Sequence, residues 1–259
     1  MRVFLTAAIA LSLGLPCHGQ ATLSVTPAYA YLTTSVPYGA FRLRNEGTQP
    51  LEVVVTAEYG VIESDTVEGL TGVHVGNAGL LGDLTGRLTF FPERLLLDAG
   101  HERVVRYLIE GAEALQPGGY IVLMHFRIQE RAAVSADAVP AIATAISIEY
   151  SLVTPLVLIS GKGAARLRAQ VLDASDGVLA LLLINESAFP FAGGISVRRN
   201  GRVVGRVSAA IYTRRHIGIP LMEPLAPGPF MLHFDTEYPG VSAATRRYLL
   251  APDPIELHF

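Results

Sequence analysis

From Leu23 onward the apolar residues come in short runs of Val, Ile, Leu, Tyr and Phe, each closed by Gly, Pro, Asn or Asp, and no run keeps a helical period. That punctuation favours strands, since a helix needs apolar residues three and four apart over at least about ten positions. The runs are "TLSVTPAYAYL", "GAFRLRNEG", "PLEVVVTAEYGVI", "GRLTFFPERLLLDAG", "ERVVRYLIEG", "GGYIVLMHFRIQE" and residues 141–159. Asn45-Glu46-Gly47, Asp98-Ala99-Gly100 and Pro117-Gly118-Gly119 supply turns between them. Seven strands in roughly 130 residues is the immunoglobulin-like count. A second series starts after "SGKGA" (160–164), with Asn200-Gly201 as a two-residue hairpin turn. The expectation is an all-β chain of two immunoglobulin-like β-sandwich domains in tandem, over 22–154 and 155–259.

The first residues, MRVFLTAAIALSLGLPCHGQA, read as a secretory signal peptide over 1–21. Arg2 gives the positive start, and Val3 to Leu15 are too few for the ~20 apolar residues of a membrane span. Gly19 and Ala21 stand at the −3 and −1 positions of a cut before Thr22. Cys17 is the single cysteine, so the mature chain has none and no disulfide to stabilise it. Pro16 before Cys17 argues against a lipid anchor. No later segment is long and apolar enough for a membrane span. The product is expected to be soluble outside the cytoplasm. A formal net charge of −3 argues against a nucleic-acid partner.

Chemistry-bearing motifs are scarce. His74, His101, His125, His216, His233 and His258 form no metal-ligating spacing, and read as satisfied or solvent-facing. There is no GxSxG, and the mature chain has no thiol. The glycines between Gly60 and Gly86 lack the Gly-Lys-Ser/Thr of a phosphate cradle and read as a long loop with at most a weak hairpin. Asn185-Glu186-Ser187 fits a glycosylation sequon. The arginines around Asn200-Gly201 read as a solvated hairpin. The chain is therefore expected to be no enzyme, with no catalytic residue, cofactor or metal.

Residues 141–156, "AIATAISIEYSLVTPL", alternate strictly. Ile142, Thr144, Ile146, Ile148, Tyr150 and Leu152 share one face of a strand; Ala141, Ala143, Ala145, Ser147, Glu149 and Ser151 share the other. A core strand needs about half this length.

The first domain resembles the PapD-like periplasmic chaperones of fimbrial assembly. The pieces that carry the resemblance come in order: "LSVTPAYAYL", "FRLRNEGTQPLEVVVTAEY", then Pro92, Arg94, Leu95, Leu97, Gly100, Val105 and Arg106, then "LQPGGYIVLMHFRIQE". In the second domain Asn185, Ser187, Phe189 and Phe191 are similar to the family's Asn–x–Thr/Ser–x–aromatic turn. The resemblance implies a chaperone that caps fimbrial or pilus subunits by donating a β-strand, and leaves room for an outer-membrane usher as a second partner. The donor would be 141–152, with Ile142, Thr144, Ile146 and Ile148 as partner-binding residues, Thr144 the weakest plug. Tyr150 and Leu152 would belong to the first domain's own core. The family's basic pair, an Arg in the first strand and a Lys in the last strand of that domain, is missing here. Arg42, Arg44, Arg127 and Lys162 are the substitutes, and the sequence selects none of them. The competing reading is a secreted structural or adhesive protein of two such domains.

Overall fold

The computed structural model describes residues 22–64, 73–130, 150–175, 177–225 and 227–258. The expected signal peptide and the four partner-binding residues Ile142, Thr144, Ile146 and Ile148 lie outside them.

Among the described residues, twelve strands make up the first part. In chain order they are β1 (Leu23–Thr26), β2 (Ala30–Thr33), β3 (Tyr38–Asn45), β4 (Leu51–Glu58), β5 (Val61–Ser64) and β6 (Val73–Gly76). Then follow β7 (Gly82–Asp83), β8 (Leu88–Phe91), β9 (Arg94–Leu97), β10 (Glu102–Ile109), β11 (Gly118–Glu130) and β12 (Tyr150–Ser160). One sheet has the order β1-β3-β10-β8, the other β2-β12-β11-β4-β9, with β7 beside β11. This is the immunoglobulin arrangement, in which the first strand is shared between sheets. Pro27 stands between β1 and β2, where the chain changes sheet.

Period-two alternation explains the layering. Phe41 and Leu43 of β3, Val105 and Tyr107 of β10, Leu51 and Val53 of β4, and Val122, Met124 and Phe126 of β11 all point into one core. Between them Arg42, Arg44 and Arg106 face water. The expected loop at 60–86 contains the β5–β6 hairpin, paired from Val61↔Gly76 to Ser64↔Val73.

The second part holds β13 (Gly163–Ala164), β14 (Leu167–Ser175), β15 (Val178–Asn185), β16 (Phe191–Arg199), β17 (Arg202–Ile211) and β18 (Arg214–Pro220). It ends with β19 (Pro229–Phe234), β20 (Leu249–Leu250) and β21 (Ile255–His258). Its sheets are β14-β15-β18 and β17-β16-β19-β21, again an immunoglobulin-type order, around a core that includes Leu181, Ile195, Ile211 and Leu232. The Asn200-Gly201 turn has the positive φ pair, 49° and 78°, that a type I′ hairpin requires.

The division expected after residue 154 falls inside β12. That strand pairs with β11 in unbroken register from Tyr150↔Ile128 to Ser160↔Gly118. Pro155 looks like a strand end in the sequence. It is tolerated because its missing N–H points away from β11.

Two asparagines take the place of covalent staples. Asn45 is fully buried; its Nδ2 donates to the carbonyls of Gln49 (2.7 Å) and Leu97 (2.9 Å), and its Oδ1 accepts from Gly47 N–H. Asn185 repeats the device in the second sandwich, donating to Phe189 and Tyr212 carbonyls and accepting from Ser187. The sequon is thus a structural turn whose amide nitrogen is already engaged. Asn45→Ala removes the donor to the buried Leu97 carbonyl and the tie to Gln49, and is expected to destabilise the fold by about 2–4 kcal/mol, read as a lower urea midpoint.

Candidate functional site

β12 is paired along its whole length on one side and along part of it on the other. Its partner on the second side, β2, runs parallel only from Leu156↔Ala30 to Ile159↔Thr33. Upstream, from Tyr150 to Pro155, no described strand pairs there.

The direction of the backbone groups follows from β11. Ile121 accepts from Leu84 N–H on the β7 side, so the odd residues of β11 bond away from β12 and the even ones toward it. Opposite them, the even residues of β12 bond β11 and the odd ones face outward. Ser151 and Val153 therefore offer N–H and C=O to the uncovered side, and Pro155 offers only its carbonyl. A proline inside a strand belongs in this orientation.

Apolar side chains surround this edge. Leu23 and Val25 of β1, Tyr29, Ile62 of β5, and Leu152 to Pro155 line a groove of about 330 Å³. Leu152 lies on the inner face of the sheet, yet it is 37 % exposed and outside the first core, contrary to the expectation from sequence. The reason is topological: β2 does not extend far enough to cover it. Thr154, on the same face, is buried.

The outer face of this sheet forms the floor between the two sandwiches. Tyr31, Ile121, Val157 and Ile159 pack there with Ala192, Ala210, Val241 and Leu249 of the second. The Tyr31 and Tyr212 hydroxyls meet at 3.0 Å. Burial raises both phenols, Tyr212 to about 12. Farther along the floor stands His125, beside Val153. It is buried, and its Nε2 lies 3.3 Å from Glu58 Oε2 without hydrogen-bond geometry, so that nitrogen has no hydrogen-bond partner. The expectation of a satisfied or solvent-facing histidine fails here, because the same alternation that carries Ile121 and Leu123 onto this face carries His125 too.

Of the substitute cations, Arg42 pairs with Glu102 and Arg44 with Glu46 on the far sheet. Lys162 follows β12, and Arg127 stands on β11 opposite Ser151, next to the open edge. Sequence reading missed Glu63. Its carboxylate accepts from Thr213 Oγ1 at 2.6 Å and lies 3.4 Å from Arg214 Nε, joining the β5 hairpin to the second sandwich. Partners so far apart in the chain leave no local signal.

No protein-family model matches the chain, and no curated protein matches it. Among solved structures it is similar to the YadV chaperone, at 12 % identity and TM-score 0.46, over 92 % of this chain and 99 % of that one. It is similar to a chain of the Salmonella enterica SafA pilin complex with the SafB chaperone, at 11 % and 0.48, over 93 % and 97 %. A third likeness is to a chain of the CsuC–CsuE chaperone–tip adhesion subunit pre-assembly complex from archaic chaperone-usher Csu pili of Acinetobacter baumannii, at 12 % and 0.46, over 91 % and 98 %. No residue of the site is assigned from these likenesses.

Burial holds the His125 imidazole below its ordinary pKa; Glu58 pulls it up, and Arg127 adds to the depression. As pH falls, the unfolded chain takes up this proton before the folded one does. Stability should therefore drop from about pH 6.5 downward, until folded His125 also titrates. Denaturant midpoints between pH 8 and 5 should fall more for the wild type than for His125→Gln.

Proposed function

We propose that this chain is a periplasmic chaperone of fimbrial or pilus assembly that captures β-rich subunits by pairing a strand with them. The observation that carries the reading is the edge of β12 from Tyr150 to Pro155, which no described strand covers, continuous in sequence with the alternating residues 141–149. A subunit with an open groove exposes unpaired backbone and apolar side chains, and left alone it aggregates. An added strand supplies main-chain hydrogen bonds and alternate side chains together. Ile142, Ile146 and Ile148 would fill the subunit's groove, with Thr144 between them. Each buried isoleucine is worth roughly 1.5–3 kcal/mol. With the backbone bonds this is comparable to the ~4–15 kcal/mol cost of association, so further contacts are needed.

In this reading the protein is exported by a signal peptide cut before Thr22. It works as two sandwiches divided after Ser160, assigns no residue to catalysis, and passes its subunits to an outer-membrane usher. The observations favour the chaperone over an adhesive protein because no described strand covers the edge of this long strand, which runs beside an apolar groove.

Ile146→Asp tests the reading. The carboxylate would be buried without a partner only in the complex, at a cost of several kcal/mol. Subunit co-purification from periplasm should be lost while the purified variant keeps its thermal midpoint. A large drop in that midpoint would place Ile146 in the protein's own core and refute the donor role.

A further inference from the structure

We propose that the groove beside β12 is a second, reciprocal binding site. It takes bulky apolar side chains from both faces of the captured strand, and Glu63 holds its outer wall in place. The inference rests on the strand-pairing reading above and adds what the partner strand must look like.

β2 shows what a strand in this column does. Where it pairs with β12 it places Ala30 and Leu32 in the core between the sheets. Upstream the column ends, because the chain leaves through Pro27 and Ala28 toward β1 in the other sheet. A strand docked on Ser151 and Val153 takes up that column. Successive side chains alternate, so one set points between the sheets, level with Leu152 and opposite Val25. The other set points outward, level with Val153.

The lining sets the chemistry. None of the residues lining the groove is charged; Arg127, opposite Ser151, and the His125–Glu58 pair stand beyond the lining. A charged side chain docked against the lining itself would be desolvated with no partner in it. Leu152 and Ile62, 37 % and 39 % exposed, are the apolar surface waiting to be covered. This end of the captured strand is therefore apolar on both faces, unlike a strand that keeps one face in water.

The outer wall is built by alternation within β5. Ile62 lines the groove, and the next residue, Glu63, turns to the second sandwich and meets Thr213 and Arg214. Glu63 is a positioning residue: it acts on the partner only through Ile62.

Two synthetic twelve-residue strand peptides test this. One carries Val and Leu on both faces over its last four residues; the other has Ser and Thr on one of those faces. An environment-sensitive fluorophore on Ala28→Cys, an exposed lining residue, in the full chain with Cys17→Ser, reports occupancy and leaves Ile62 in place. The doubly apolar peptide should blue-shift the label and bind about tenfold tighter than the other. Leu152→Asp, measured with the same label, should remove that preference at an unchanged thermal midpoint. Glu63→Gln should reduce the preference while leaving binding of the amphipathic peptide as it was. Equal affinity for the two peptides would overturn the inference and leave strand pairing standing. A label already blue-shifted without peptide would mean that the chain's own residues fill the groove, and would also overturn it. Failure of both peptides to bind would remove the strand-pairing reading itself, and this inference with it.

Discussion

The β11–β12 ladder is the interaction on which the rest of the molecule depends. Its register runs unbroken from Ile128↔Tyr150 to Gly118↔Ser160, and it serves three regions at once. The inner side chains, Val122, Met124, Phe126, Leu156 and Leu158, belong to the first core. The outer ones, Ile121, Val157 and Ile159, form the floor against the second sandwich. The backbone groups on the free side of β12 are the candidate docking edge. Weakening this ladder would loosen a core, an interface and a site together.

The same economy explains the polar groups that are buried. Asn45 and Asn185 each tie a turn to a distant strand through three or more hydrogen bonds, in a chain without disulfides. Asn45 is buried and Asn185 half-buried, and each is satisfied, so enclosing it costs little. Glu63 is nearly as enclosed and is received by a hydroxyl and a guanidinium. His125 differs. It lies beside Val153, one strand in from the edge, with a depressed pKa and, alone among the described buried side chains, a nitrogen without a hydrogen-bond partner.

The sequence made the sandwiches legible because strand alternation is a local signal. Phe41 and Leu43 against Arg42 and Arg44, and the Asn200-Gly201 turn, can be read from neighbours alone. Three features could not be read that way. Leu152 has the parity of a core residue and is half exposed, because exposure depends on where β2 ends, more than a hundred residues away in the chain. Pro155 resembles a boundary, yet sits within a strand because the sheet leaves its nitrogen side free. Glu63 meets Thr213 and Arg214 only once both sandwiches are folded. Local pattern fixes which face a side chain takes; what covers that face is decided by strands distant in sequence.

That distinction bears on why docking would be confined to one place. An exposed strand edge invites pairing with any chain, and most edges here are blunted. β8 and β9 are four residues each, β9 carries Arg94, which pairs with Glu52 of the neighbouring β4, and β14 is bulged between Val171 and Asp173. β12 is eleven residues long and keeps its register with β11 throughout. Pro155 limits it at one end, since a docked strand finds an acceptor there but no donor. On the proposed reading, a captured strand would draw paired hydrogen bonds from Val153 and Ser151 and would stop where β2 begins. Its register would then be set by the proline and by the end of β2, and only its side chains would remain to distinguish one partner from another.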